Sequence, residues 1–246
     1  MRQVGVPILN DPQGTKVVPL ALTREALLDG SMRRMIESSG TTQRLLTDEE
    51  HKASLARIMA TCPGKDVWLF GYGSLIWNPA IRFEERRVGT IYGYHRRFCL
   101  WTRLGRGSQA NPGLMLALEP GGACQGVAFR IGAAEAAEEM ALVWKREMIM
   151  GSYRPRWVKV VTSEGPVWAI TFVMNRAHEN YAGVLSEERV AAVIANASGA
   201  LGPCAAYLFN TVDHLGELGI HDRRLSRLKR LVAERQAVAE KDRSGA

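Results

Sequence analysis

Val67-Trp68-Leu69-Phe70-Gly71-Tyr72-Gly73-Ser74-Leu75 is the stretch that decides how the rest of the chain is read. Val67 to Phe70 form a short β-prone run, and the two glycines that follow end it. Glycine at such a turn admits positive φ and lets a ligand approach the backbone. Successive amides there can form a nest for an anion or a polarised carbonyl. The same residues also suit a tight turn whose aromatic neighbours pack a core, and the local sequence leaves both readings open. Two familiar motifs are excluded. No third glycine completes a dinucleotide fingerprint, and no Lys-Ser/Thr pair completes a phosphate loop. Ser74 is not in a nucleophile elbow, because no glycine stands two residues after it.

Downstream, further strands are expected over Arg97 to Trp101, Leu114 to Leu118, Gly126 to Ile131, Trp157 to Val161 and Val167 to Met174. A glycine-rich loop from Arg103 to Gly113 carries Arg106, Gln109 and Asn111. Upstream, Thr23 to Ser38 reads as one helix closed by Ser39-Gly40. A second helix begins at Thr47, where Thr47 and Glu50 have capping-box spacing. Leu55, Ile58 and Met59 form its apolar side, and Cys62-Pro63-Gly64 stops it. Helices are also expected from about Ala133 to Met150, Ser186 to Ala197 and Pro203 to Leu218, before a basic tail helix. Strands followed by helices imply an α+β domain, or a small barrel with helices around it.

The helix ending near Met150 carries a second clue. Ala136, Met140, Val143 and Trp144 share one face by their three- and four-residue spacing, and Glu147 continues that stripe. Glu135, Glu138, Glu139 and Lys145 fall on other faces, where charge is expected. A carboxylate facing the core must find a partner, meet a cavity or take up a proton. Burial raises its pKa, and the carbonyl dipoles of the last helical turn act in the same direction. Glu147 is therefore either a general acid/base or half of a buried ion pair with Arg146, Arg154 or Arg156.

Bulk properties narrow the class. With 246 residues, 46% hydrophobic and 23% charged, the chain has globular composition, which argues against disorder. The net charge of +7 and pI near 9.5 would suit a polyanion partner, but the basic residues are dispersed. The one dense stretch, Arg223 to Arg235, has Leu225, Leu228 and Val232 at helical spacing and reads as the solvated face of an amphipathic helix rather than a nucleic-acid surface. Cys62, Cys99, Cys124 and Cys204 lack the paired spacing of a metal or redox motif; no metal site is expected, and reduced thiols suit a cytoplasmic protein. Residues Met1 to Val18 carry no continuous apolar core, so no signal peptide or membrane partner is expected. His95 and His178 have no paired nucleophile or metal partner and read as ordinary.

The chain resembles the ChaC branch of the γ-glutamylcyclotransferases. The resemblance rests on Trp68-Leu69-Phe70-Gly71-Tyr72-Gly73-Ser74-Leu75-Ile76-Trp77-Asn78-Pro79 and Gly93-Tyr94-His95-Arg96-Arg97-Phe98. It continues through Gly126-Val127-Ala128-Phe129-Arg130, Trp144-Lys145-Arg146-Glu147-Met148 with Gly151 and Tyr153, and Tyr207-Leu208-Phe209. Gly151-Ser152-Tyr153 departs slightly from the family pattern but keeps its tyrosine. The resemblance implies a small mixed β-barrel with flanking helices. It implies cleavage of glutathione to 5-oxoproline and Cys-Gly without a cofactor, Glu147 as the catalytic glutamate, and a turn from Leu69 to Leu75 that holds the γ-glutamyl group. It divides the chain into an N-terminal helical extension (1–65), a catalytic domain (66–238) and a polar tail (239–246).

Tyr153 and Tyr207 are either hydroxyl donors to the substrate carboxylate or to Glu147, or core aromatics. Arg103 or Arg106 either meets the glycine carboxylate of glutathione or is merely solvated. Two rivals stand beside the main reading: a cyclotransferase acting on other γ-glutamyl amines or dipeptides, and a non-catalytic module binding nucleic acid through the tail helix. The oligomeric state is not legible.

Overall fold

The structure, a computed structural model, describes residues 9–10, 16–17, 22–39, 41, 43–64 and 66–244. Gly40, assigned above to a helix-closing turn, and most of Met1 to Val18 lie outside the described residues. Helices α1 (Arg24–Leu28), α2 (Ser31–Ser38) and α3 (Asp48–Met59) precede strand β1 (Val67–Gly71) and a single 3-10 turn at Ser74–Ile76. Strands β2 (Glu85–Thr102) and β3 (Gly113–Ile131) follow, then α4 (Ala136–Glu147), β4 (Tyr153–Thr162) and β5 (Gly165–Met174). Helices α5 (Glu187–Asn196), α6 (Cys204–Glu217) and α7 (Arg223–Ser244) complete the chain.

The five strands close into a barrel in the order β1-β3-β2-β4-β5. β1 pairs antiparallel with β3, Val67 facing Ile131 and Gly71 facing Val127. It closes the barrel through a parallel pairing with β5, Trp68 to Ala169 and Leu69 to Ile170. Every residue of β1 is buried, as its continuous apolar run requires for a strand covered on both faces. The long β2–β3 ladder runs from Glu85 opposite Arg130 to Thr102 opposite Gly113, with register shifts at Tyr92/Tyr94 and Phe98/Leu100. The two strands expected at Leu114 to Leu118 and Gly126 to Ile131 are thus one continuous strand.

Around the barrel, Trp144 of α4 meets Phe172 of β5 edge-on with ring centroids 5.4 Å apart, and Met140 and Val143 are buried beside it. Leu225, Leu228 and Val232 are buried on α7 and its basic residues turn outward, as its spacing predicts. That helix continues through Ser244, across the segment set apart as a polar tail. Upstream, the capping box at Thr47 and Glu50 forms as expected. The helix expected over Thr23 to Ser38 is broken in two, because Gly30 adopts φ +72°, a left-handed conformation that ends a helix. Cys99, Cys124 and Cys204 are buried, and burial pushes the Cys99 thiol up to about 12 and Cys204 to about 11. No helix among the described residues is long and apolar enough to cross a membrane.

One charge expected on the surface of α4 is not there. Glu139 is fully buried. Its carboxylate accepts hydrogen bonds from Arg24 Nη1 and Nη2, the latter at 2.6 Å, and from the Arg82 amide at 3.0 Å. The N-terminal helix α1 covers this face, which local periodicity could not foresee.

Candidate active site

A cavity of ≈ 190 Å³ opens where the end of β1 meets the end of α4. The glycine turn supplies Tyr72, Gly73, Ser74 and Leu75 to its wall; α4 ends there with Arg146 and Glu147. Tyr153 enters from β4 and Tyr207 from α6. The chemistry-bearing residues singled out in the sequence therefore meet in one place. Leu69, Phe70 and Gly71 do not reach it. Leu69 and Phe70 have no exposed surface, and a Cβ on Gly71 would come within 2.9 Å of Leu75 Cβ. These three brace the turn from inside the barrel.

Glu147 keeps 15% of its side-chain surface exposed and lines the cavity. Burial raises its pKa above the ordinary glutamate value, and the Arg146 cation opposes that rise without cancelling it. The pairing is direct, Arg146 Nε to Glu147 Oε1 at 2.9 Å. The carboxylate is thus ion-paired and at the same time faces a cavity. Arg154 and Arg156, the other partners considered, are exposed on β4.

Arg146 is the residue whose part the sequence understated. Its side chain is 3% exposed. Besides Glu147 it donates Nη2 to Ser74 Oγ at 2.9 Å and Nη1 to the Asn78 carbonyl. One guanidinium thereby fixes the carboxylate against the glycine turn, using the fork of donors that lysine lacks. Its place beside Glu147 in Trp144-Lys145-Arg146-Glu147-Met148 was the available signal.

The turn leaves little freedom. A Cβ at Gly73 would stand 2.8 Å from the Tyr207 hydroxyl, so that tyrosine lies directly against the turn. The first hydrogen bond of the 3-10 turn is Ile76 N to Gly73 O at 2.9 Å. The amides of Ser74 and Leu75 precede it and have no acceptor within the turn. Tyr72 donates to the Phe172 carbonyl at 2.8 Å, and Tyr153 to the Leu116 carbonyl at 3.0 Å. Burial raises the pKa of all three phenols, with the Glu147 charge adding to it, so each stays protonated near neutral pH. The proton of Tyr153 is committed to Leu116, which weakens its assignment as a donor to substrate; Tyr207 is better placed, over the turn.

The N-terminal segment completes the cavity with Leu22, Met32, Met35, Ile36 and Gln43. No motif marked these residues, and only Met32, Met35 and Ile36 lie on a helix, α2, whose apolar side could be read. Gln43 Nε2 and Arg103 Nη1 both donate to Asn180 Oδ1 at 2.7 Å, joining this segment to the loop after β2. Leu22 O accepts from Asn78 Nδ2 at 2.7 Å. His95 Nδ1 and His178 Nε2 contact the backbone carbonyls Gly121 O and Met150 O, each at 2.9 Å, and His178 Nδ1 accepts from the Asn180 amide at 3.1 Å.

A model of the ChaC-like protein family matches residues 67–235. The chain is 44% identical over 198 residues to the glutathione-specific γ-glutamylcyclotransferase of Escherichia coli (strain K12), covering 80% of this chain and 85% of that protein. It is 30% identical over 154 residues to the human glutathione-specific γ-glutamylcyclotransferase 1, covering 61% and 69%. Among solved structures, a yeast γ-glutamylcyclotransferase specific to glutathione superposes with a TM-score of 0.64 at 22% identity, over 70% of this chain and 97% of that one. That last likeness speaks to the fold.

Proposed function

The chain belongs to the ChaC-like family, and on that premise we propose that it is a γ-glutamylcyclotransferase that cleaves glutathione to 5-oxoproline and Cys-Gly, with Glu147 as the general acid/base. The single observation that carries the residue assignment is an incompletely neutralised, pKa-raised carboxylate lining a cavity opposite a glycine turn.

The reaction is an intramolecular aminolysis. The α-amine of the glutamyl residue attacks its own γ-carbonyl carbon, forming the lactam C–N bond. The bond from that carbon to the cysteinyl nitrogen then breaks. The amine is mostly protonated at neutral pH, so it must lose a proton before it attacks. Glu147 takes that proton and returns one to the departing nitrogen. Arg146 holds the carboxylate in place and opposes the rise of its pKa. The amides of Ser74 and Leu75 are the donors we assign to the developing oxyanion. The Tyr207 hydroxyl, pressed against Gly73, orients the glutamyl chain in a folded shape and so reduces the entropy lost on ring closure.

We place the catalytic unit within residues 66–238 and assign the N-terminal helices the role of closing its cavity. The test is incubation of the purified protein with glutathione and mass spectrometry of the products. Equal amounts of 5-oxoproline and Cys-Gly are expected. Glutathione recovered intact, with 5-oxoproline formed only from other γ-glutamyl amines, would transfer the assignment to that substrate class.

A further inference from the structure

Four charged side chains line the cavity. Arg146 and Glu147 form an ion pair, whereas Arg103 and Arg106 bring two more positive charges from the loop between β2 and β3. Among the described residues neither loop arginine has a carboxylate within ion-pair distance. Arg103 has Asn180 Oδ1, and Arg106 has only the Pro203 carbonyl, at 3.4 Å from Nη1. A guanidinium carries five N–H donors, and one long bond to a neutral acceptor leaves Arg106 far from satisfied. Burial weighs on its charged form and lowers its pKa. A desolvated cation without a counter-charge is costly, so the missing anion is sought in the ligand.

The position of Arg106 says which anion. Arg106 comes from the loop after β2 and reaches Pro203 at the start of α6, whereas the Arg146–Glu147 pair closes α4, and Arg106, Arg146 and Glu147 all line the one cavity. Arg106 thus belongs to a different wall of the cavity from the acid/base. Two extended residues of a leaving peptide span about 7 Å, so its terminal carboxylate stands well away from the reacting carbonyl and can meet another wall of the same cavity.

We propose that Arg106 binds the C-terminal carboxylate of the leaving peptide, so that the cavity selects γ-glutamyl substrates whose leaving group ends in an anion about two residues away. This rests on the cyclotransferase reading above. Arg103, held by Asn180 and through it joined to Gln43 of the N-terminal segment, supports the same end of the cavity.

The test compares glutathione with its glycine ethyl ester, which lacks that charge. Wild-type protein is expected to favour the free acid by about tenfold to a hundredfold in kcat/KM, the range of a charged hydrogen bond. Arg106→Gln is expected to raise KM for the free acid by a similar factor with little change in kcat, and to bring the acid-to-ester ratio toward one. Arg106→Lys, which keeps the charge but not the fork, should recover part of the preference. Equal losses on acid and ester, or a wild-type protein indifferent to the ester, would overturn the assignment. Calorimetric binding of both ligands to the Glu147→Gln protein separates the two readings. A carboxylate preference in binding without any 5-oxoproline from the wild type would sink the cyclotransferase and keep the subsite; turnover without the preference would do the reverse.

Discussion

Helix α4 holds two inward carboxylates about two turns apart, and they behave in opposite ways. Glu139, near its start, has no exposed surface and accepts from three donors on Arg24 and Arg82. Burial alone would raise its pKa, but those hydrogen bonds and charges outweigh burial and leave it lowered. Glu147, at its end, has one ion pair, faces a cavity, and its pKa is raised. Residue type, helix and an arginine partner are shared. What differs is saturation: a carboxylate held by three donors away from any cavity is structural, and one with a single ion pair and lone pairs turned to a cavity can move a proton.

The largest way to sharpen that contrast is to neutralise each carboxylate in turn. Glu147→Gln is expected to lower turnover by at least about a hundredfold, the lower range for a general base, with the fold kept. Glu139→Gln should leave turnover near the wild-type level while lowering the melting temperature, and steady-state kinetics beside thermal melts check both. The arginine partners come next. Arg146→Met should cost about tenfold in turnover by freeing Glu147 from the turn. Removing a neighbouring cation raises a carboxylate pKa further, so the acid limb of the rate profile should also move to higher pH. Arg24→Met leaves Glu139 buried with fewer donors and should destabilise the protein by about 2 kcal/mol, read by denaturant melts, with a smaller effect on turnover.

The smallest effect is in stability against pH. The lowered pKa of Glu139 means that its contribution is present above its unfolded value and is lost as the pH falls through its folded one. The raised pKa of Glu147 has the opposite sign: its ionisation costs stability, and acidification relieves that cost. Glu139→Gln should therefore flatten the loss of melting temperature on acidification, and Glu147→Gln should not.

The same two residues mark how far the sequence could be read. Glu147 was legible because its face is set by its own helix, through Ala136, Met140, Val143 and Trp144. The burial of Glu139 was not, because its cover comes from Arg24, 115 residues away. β1 and the glycine turn were legible as a local apolar run with an abrupt stop. The full length of β3 was not: Glu119-Pro120-Gly121-Gly122 reads as a break, yet Glu119 and Pro120 keep their pairing with His95 and Tyr94 through the register shift. The cavity wall from Leu22 to Gln43 carries no pattern that distinguishes lining a ligand from packing a core. Family likeness supplied the reaction, whereas the unsatisfied Arg106 became visible only once its neighbours were placed.

The most direct measurement is the pH profile of kcat/KM for 5-oxoproline formation, recorded for wild type and Glu147→Gln side by side. Wild-type activity should fall on acidification through a single group that titrates above the ordinary glutamate range, and the variant should be slow with no such limb. A variant that keeps near wild-type turnover and the same acid limb would contradict the role given to Glu147.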